Sequence, residues 1–141
     1  MGWRLGFLGN SAPYPADVNL IVQISILFLL FAGAYLAKVS EFKLHGRFMI
    51  SLIAIQFGAV FLWMVPSLII NLGALGSGGV GTAVTLLHVF AGTFALALVV
   101  AAATHWMENQ LKWTMRVAFS AWVLVAILGI AFYAHYYLSI I

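Results

Sequence analysis

The sequence predicts an all-α integral membrane protein, an up-down-up-down four-helix bundle with both termini outside. Three observations carry that prediction. First, 65% of the 141 residues are hydrophobic and only 6% are charged. A soluble domain carries about 25% charged residues, so this chain cannot clothe a water-facing surface, and disorder requires the opposite balance. Second, four stretches meet the length of about 20 apolar residues needed to cross the hydrocarbon core. Third, the turns between them are short, which makes consecutive helices antiparallel neighbours.

The first span runs from about Val18 to Val39 and ends in the polar turn Lys38 to Lys43, which contains Ser40 and Glu41. The second runs from Leu44 to Leu72, and Pro66 is expected to kink it near its far end. The glycine-rich turn Gly73 to Gly79 follows. Its continuation Gly78-Gly79-Val80-Gly81 has neither Walker nor dinucleotide spacing. The third span runs from Val80 to His105, and a polar turn at Glu108 to Lys112 leads into the fourth, Thr114 to Leu138. With no linker and no low-complexity tract, residues 1–141 make a single membrane domain.

Charge orients the chain. Lys38, Lys43 and Arg47 surround the first turn, and Lys112 and Arg116 the third. The second turn and the C-terminus carry no cation, and the N-terminal tail has only Arg4. Five of six cations therefore share one face, which the positive-inside rule makes cytoplasmic. Trp106 and Trp113 fit the inner aromatic belt, and Trp63, Tyr136 and Tyr137 the outer one. The pI near 9.5 follows from this asymmetry and implies no nucleic-acid partner. Met1 to Asp17 lacks the basic-then-apolar pattern of a cleaved signal peptide, so the first helix is expected to act as an uncleaved insertion signal. The expected location is a prokaryotic cytoplasmic (inner) membrane, with the chain crossing it several times.

Chemistry is sought among the histidines. There is no cysteine, hence no disulfide, thiolate metal site, iron–sulfur cluster or covalent c-type haem. Asp17, Glu41 and Glu108 lie at helix ends or loops, which leaves no buried carboxylate pair for acid–base work. No inverted repeat supports a transporter. Four histidines outnumber three acids. His45 and His105 share the inner level, and His88 and His135 the outer level. His88 and His105 are 17 residues apart, roughly 25 Å along a helix and about a quarter turn around it. In a square bundle the third helix has the second and fourth as neighbours. Level and direction then pair His88 with His135 and His45 with His105.

A histidine pair reaching across two helices suits an iron porphyrin held by two axial imidazoles. The flat macrocycle needs small residues beside the ligand, and Gly92 and Gly129 stand a turn or two from His88 and His135. Lys43, Arg47, Lys112 and Arg116 are placed to receive haem propionates at the inner level. Blander readings compete. Interfacial histidines such as His45 and His105 commonly sit among headgroups and water. His88 is the stronger candidate, because ionisable groups inside a membrane are usually functional, although a hydrogen bond to Thr85 or to a backbone carbonyl would also satisfy it. Gly33 and Gly58 are expected to serve helix packing. Gln23 and Gln56 either bond to each other, the preferred reading, or line a quinone pocket. Met49 and Met107 offer copper ligands, yet methionines more often fill packing gaps.

His45 with Met49 opening one helix, His88 within the next, and Trp122, Gly129 and Tyr133 in the last resemble a family of small four-helix prokaryotic membrane proteins of largely unknown function. That family includes a maturation factor of haem–copper oxidases. The resemblance spans roughly Leu44 to Tyr133 and implies an association with respiratory metal or haem chemistry. The family tends to carry a histidine where Leu111 stands here, a role that His105 or His135 would have to take. The architecture is also similar to diheme b-type membrane cytochromes, through histidine placement alone.

The leading expectation is therefore a diheme b-type cytochrome carrying electrons across the bilayer. Two haem b groups would sit on His88 with His135 and on His45 with His105, exchanging electrons with a redox protein or quinone. The alternative is an accessory or assembly subunit of a respiratory or other metalloenzyme complex, binding copper or haem transiently or nothing.

Overall fold

The computed structural model describes residues 6–69, 80–104 and 111–138, and these are helical apart from the N-terminal segment and one turn. Helix α1 is Tyr14–Lys38, and α2 is Phe42–Ala59, continued by a π-helical turn at Val60–Met64 and a further helical stretch to residue 69. Helix α3 is Val80–Ala103, and α4 is Leu111–Tyr133, continued by a π-helical turn at Ala134–Leu138. Four spans of 25, 28, 22 and 27 residues are long and apolar enough to cross a membrane, making this a multi-pass membrane protein.

The helix ends have local causes. Helix α1 begins four residues before the expected Val18. Pro13 occupies the N-cap and Pro15 the first turn, where a missing N–H costs nothing because that donor has no intrahelical partner. The apolar run therefore underestimates the helix, and Asp17 falls inside its first turn rather than ahead of it. The far end of α1 closes on Ser40, whose φ of 66° is left-handed. The Glu41 N–H bonds the Leu36 carbonyl at 3.0 Å and the Ser40 N–H bonds the Ala37 carbonyl at 3.3 Å. This is the paired-bond stop that satisfies the last carbonyls of a helix. Near Pro66, where a kink is expected, α2 carries the π-helical turn Val60–Met64. Proline has no N–H to offer the carbonyl four residues back, and that carbonyl, on Leu62, lies inside the widened turn.

The packing order differs from the square arrangement expected. Helix α3 packs on α4, α1 packs on α2, and α1 and α4 join the two pairs, while α2 and α3 scarcely touch among the described residues. The seam between α1 and α2 is close because Gly33 has no side chain. A Cβ there would stand 2.7 Å from the Met49 sulfur. Gly58, expected to serve packing too, faces open space. All four helices contribute to one buried cluster: Ile26, Leu30, Leu52, Val99, Ala118 and Trp122. Many large side chains remain outside it, among them Phe28 and Phe90, each 72% exposed. Such an apolar exterior is suited to lipid or to neighbouring helices.

Contacts between helices set the levels. Asp17 meets Tyr133 and Phe31 meets Phe119, so fourteen residues forward on α1 match fourteen back on α4. His88 lies on Gly129 and Gly92 on Val125, so four residues forward on α3 match four back on α4. Gly33 lies on Met49, which places Ile26 level with Gln56 at an equal step of seven residues.

Candidate functional site

His88 is half-buried within α3, flanked by Leu87 and Val89. Its ring covers Gly129 of α4: a Cβ on that glycine would stand 3.1 Å from the His88 Cε1. Gly129 thus makes room for the imidazole itself. Gly92, one turn along, is different, because a Cβ there meets only Val125 at 3.7 Å, an ordinary contact. The His88 Nδ1 is buried without a hydrogen-bond partner among the described residues. The bond to Thr85 or to a carbonyl across the seam, which would have made this histidine purely structural, is not made by that nitrogen.

His135 is exposed and sits in the π-helical turn at the end of α4, its ring against Tyr136 at 5.3 Å between centroids. It lies six residues beyond Gly129, roughly 9 Å along the axis and about a third of a turn around it. By the step that matches His88 to Gly129, His135 is level with Thr82. The shared depth expected for His88 and His135 therefore does not hold. Simple counting from helix ends missed the offset between α3 and α4.

His45 is half-buried in the first turn of α2, and its Nδ1 lies 2.8 Å from the Gly33 carbonyl oxygen of α1. That contact leaves Nε2 as the ring nitrogen open to another partner. His105 lies outside the described residues, as do Trp106, Met107 and Glu108. Lys43, Arg47, Lys112 and Arg116 are all exposed at the same end of the bundle as His45. Met49 fills the space over Gly33, the packing role of a methionine rather than a copper ligand's. Among the described residues no three of His, Cys, Asp or Glu come together as a metal-binding group.

A haem with two axial histidines needs both imidazoles to converge on one iron. His88 meets half of that requirement, through its unpartnered nitrogen and the cleared surface of Gly129. The His88–His135 pair does not meet the rest, because the two rings start from different levels and faces.

Two polar features stand apart from the histidines, and of their residues only Gln23 and Gln56 were flagged by sequence. Asp17 is completely buried. Its Oδ1 accepts the Tyr133 hydroxyl, and its Oδ2 accepts the Leu8 N–H at 2.9 Å. Asn10 donates to the Tyr133 oxygen at 2.7 Å and accepts the Ala12 N–H at 2.9 Å. The N-terminal segment thereby folds over the start of α1. Gly6 lies so close that a Cβ would stand 2.1 Å from the Asp17 Oδ2. The second feature is a set of unpartnered amides. Asn19 Oδ1, Gln23 Nε2 and Gln56 Oε1 are buried with no hydrogen-bond partner among the described residues. The expected bond between Gln23 and Gln56 is thus not formed through those atoms.

No protein-family model, curated protein or solved structure matches the chain.

Proposed function

We propose that this chain is an accessory or assembly subunit of a membrane metalloenzyme complex, taking up haem or copper transiently through His88. The observation that carries this reading is the isolation of His88: one imidazole within an apolar span, its Nδ1 buried and unpartnered, with no other described histidine at its level. Ionisable residues inside a bilayer are rare and usually functional. One imidazole supplies one ligand, and a cofactor held at one point leaves more readily than one held at two. Exchangeable binding suits a protein that passes a cofactor on. The resemblance to a family containing an oxidase maturation factor points the same way. The exposed apolar faces of the spans supply surface for the helices of a larger complex.

The bundle is read as up-down-up-down with both termini outside, because Lys38, Lys43, Arg47, Lys112 and Arg116 gather at one end and cations favour the cytoplasmic side. The host is read as a prokaryotic cytoplasmic membrane.

A diheme b-type carrier remains the second reading, favoured by His45. An imidazole whose Nδ1 is anchored on a backbone carbonyl presents Nε2 in a fixed orientation, as metal-ligating histidines do. His105 would have to supply the partner ligand across the space between α2 and α3, which scarcely touch among the described residues, with Lys43, Arg47, Lys112 and Arg116 near the propionates. A haem there would supply one-electron redox chemistry.

Gentle detergent extraction, followed by metal analysis and a pyridine haemochrome assay, separates the two. The accessory reading expects co-purification with a larger complex, less than one haem or copper per chain, and loss of that fraction in His88→Ala. Two low-spin haems retained per chain would overturn it in favour of the carrier.

A further inference from the structure

We propose that Asn19, Gln23 and Gln56 form a binding site for a neutral, lipid-soluble ring bearing hydroxyl or carbonyl oxygens, the chemistry of a quinol or quinone. The site lies in the seam between α1 and α2. Asn19 and Gln23 are one turn apart on α1, on the stripe that continues through Ile26 and Leu30. Ile26 and Leu30 are 2% exposed, so this stripe faces the bundle. Gln56 continues the α2 stripe of Met49 and Leu52, and is itself only 7% exposed. The contact of Gly33 with Met49 puts Gln56 level with Ile26, so the three amides span seven residues of α1, about 10 Å of the helix axis.

Each of these side chains buries an amide atom that has no partner among the described residues. A buried polar group without its hydrogen bond destabilises the fold, and such groups call for an explanation. Sequence offers the easy remedy of a Gln23–Gln56 bond across the seam, and the fold does not take it. The orphan atoms are two acceptors, Asn19 Oδ1 and Gln56 Oε1, and one donor, Gln23 Nε2. A ring hydroxyl satisfies both kinds, donating to a carbonyl oxygen and accepting from the amide. A ring carbonyl is served by the donor.

A second feature of α2 coincides with the site. The π-helical turn Val60–Met64 begins one turn after Gln56, and α1 packs against it. Such bulges concentrate at functional sites, where the widened turn breaks the regular surface of a helix. Trp63, half-buried within this turn, is level with Asn19 by the same register. An aromatic ring is thereby available to a flat ligand. Asn19, Gln23 and Gln56 offer amides alone, so the site is assigned binding, with no redox step on these residues. His88 lies at the same depth in the other helix pair, and the proposal does not rest on its role.

The test uses the full chain in phosphatidylcholine nanodiscs, titrated with decylubiquinone and read by tryptophan fluorescence. Saturable quenching is expected on top of linear partitioning into lipid, with apparent Kd raised tenfold or more in Gln23→Leu and in Gln56→Leu. Leucine is of similar size and removes a buried unpaired group, so both variants should fold, which circular dichroism verifies. Asn19→Leu provides a third variant. Quenching that is only linear in the wild type, or a saturable curve unchanged in all three variants, overturns the proposal and leaves water as the amides' partner. The His88→Ala protein should bind decylubiquinone as the wild type does. Loss of binding in that variant alone would overturn the assignment to the α1–α2 seam. Because this outcome is independent of metal content, the site and the accessory-subunit reading fail separately.

Discussion

Asp17 and Gln56 are both buried polar residues on facing helices of one bundle, and they have opposite fates. Every oxygen of Asp17 is engaged, by the Tyr133 hydroxyl and the Leu8 N–H. Gln56 is nearly as buried, and its Oε1 accepts nothing from the described residues. The Asp17 network ties three parts of the chain together, namely the N-terminal segment, the start of α1 and the end of α4. It is a lock, whose bonds stabilise only the folded arrangement. The amide layer close below it is a cost the fold carries without return from its own groups. Buried polar side chains thus divide by whether the protein itself satisfies them, and the unsatisfied ones are where a ligand has something to gain.

The largest expected effect comes from breaking the lock. Asp17→Ala leaves the Tyr133 hydroxyl and the Leu8 N–H without their acceptor, and should cost about 3 kcal/mol in a denaturant titration in detergent micelles. The segment before Tyr14 should also become susceptible to protease. A loss below about 1 kcal/mol would show that water replaces the carboxyl and that the network is incidental.

A smaller effect is expected from crowding the lock instead of emptying it. Gly6→Ala puts a methyl group where the Asp17 Oδ2 stands, and overpacking of this kind costs about 2 kcal/mol. Unchanged stability, read by the same titration, would mean that the N-terminal segment can shift without strain.

The smallest effect has the opposite sign. Gln56→Leu removes an unsatisfied group at nearly constant volume, and should stabilise the ligand-free protein by about 1 kcal/mol. Thermal unfolding by circular dichroism measures it. Destabilisation there would show that Gln56 has a partner in the folded protein, and the contrast with Asp17 would collapse.

Much of the architecture was legible in sequence, and the reason is local. Each span could be recognised from its own run of apolar residues, and the Lys38–Lys43 turn from its charges. The start of α1 is concealed in sequence because Tyr14-Pro-Ala-Asp looks like a loop when only apolarity is counted. The two prolines in fact suit a helix's first turn. The candidate site was legible as a set of residue types and poorly legible as geometry. His88 stood out because a histidine among leucines and valines is conspicuous. Its pairing with His135 was inferred from distance to helix ends, and the observed contact with Gly129 places His135 six residues too far along α4. Asp17 was read as an ordinary helix-end acid. Nothing near it in sequence announces Tyr133, which is 116 residues away.

Composition and run length by themselves determined that this chain forms four helices long and apolar enough to cross a membrane. Transfer into a bilayer is close to a sum over residues, and an isolated helix satisfies its own backbone. Which side chains meet was decided only by tertiary structure. Contacts between helices depend on pairing order and register, and neither is a property of any one segment. The order α2, α1, α4, α3 separated His45 from the helix expected to face it. The register of α3 on α4 set His88 on a glycine instead of beside His135. The same packing closed the N-terminal segment over Asp17 and left one amide atom each of Asn19, Gln23 and Gln56 without a partner among the described residues.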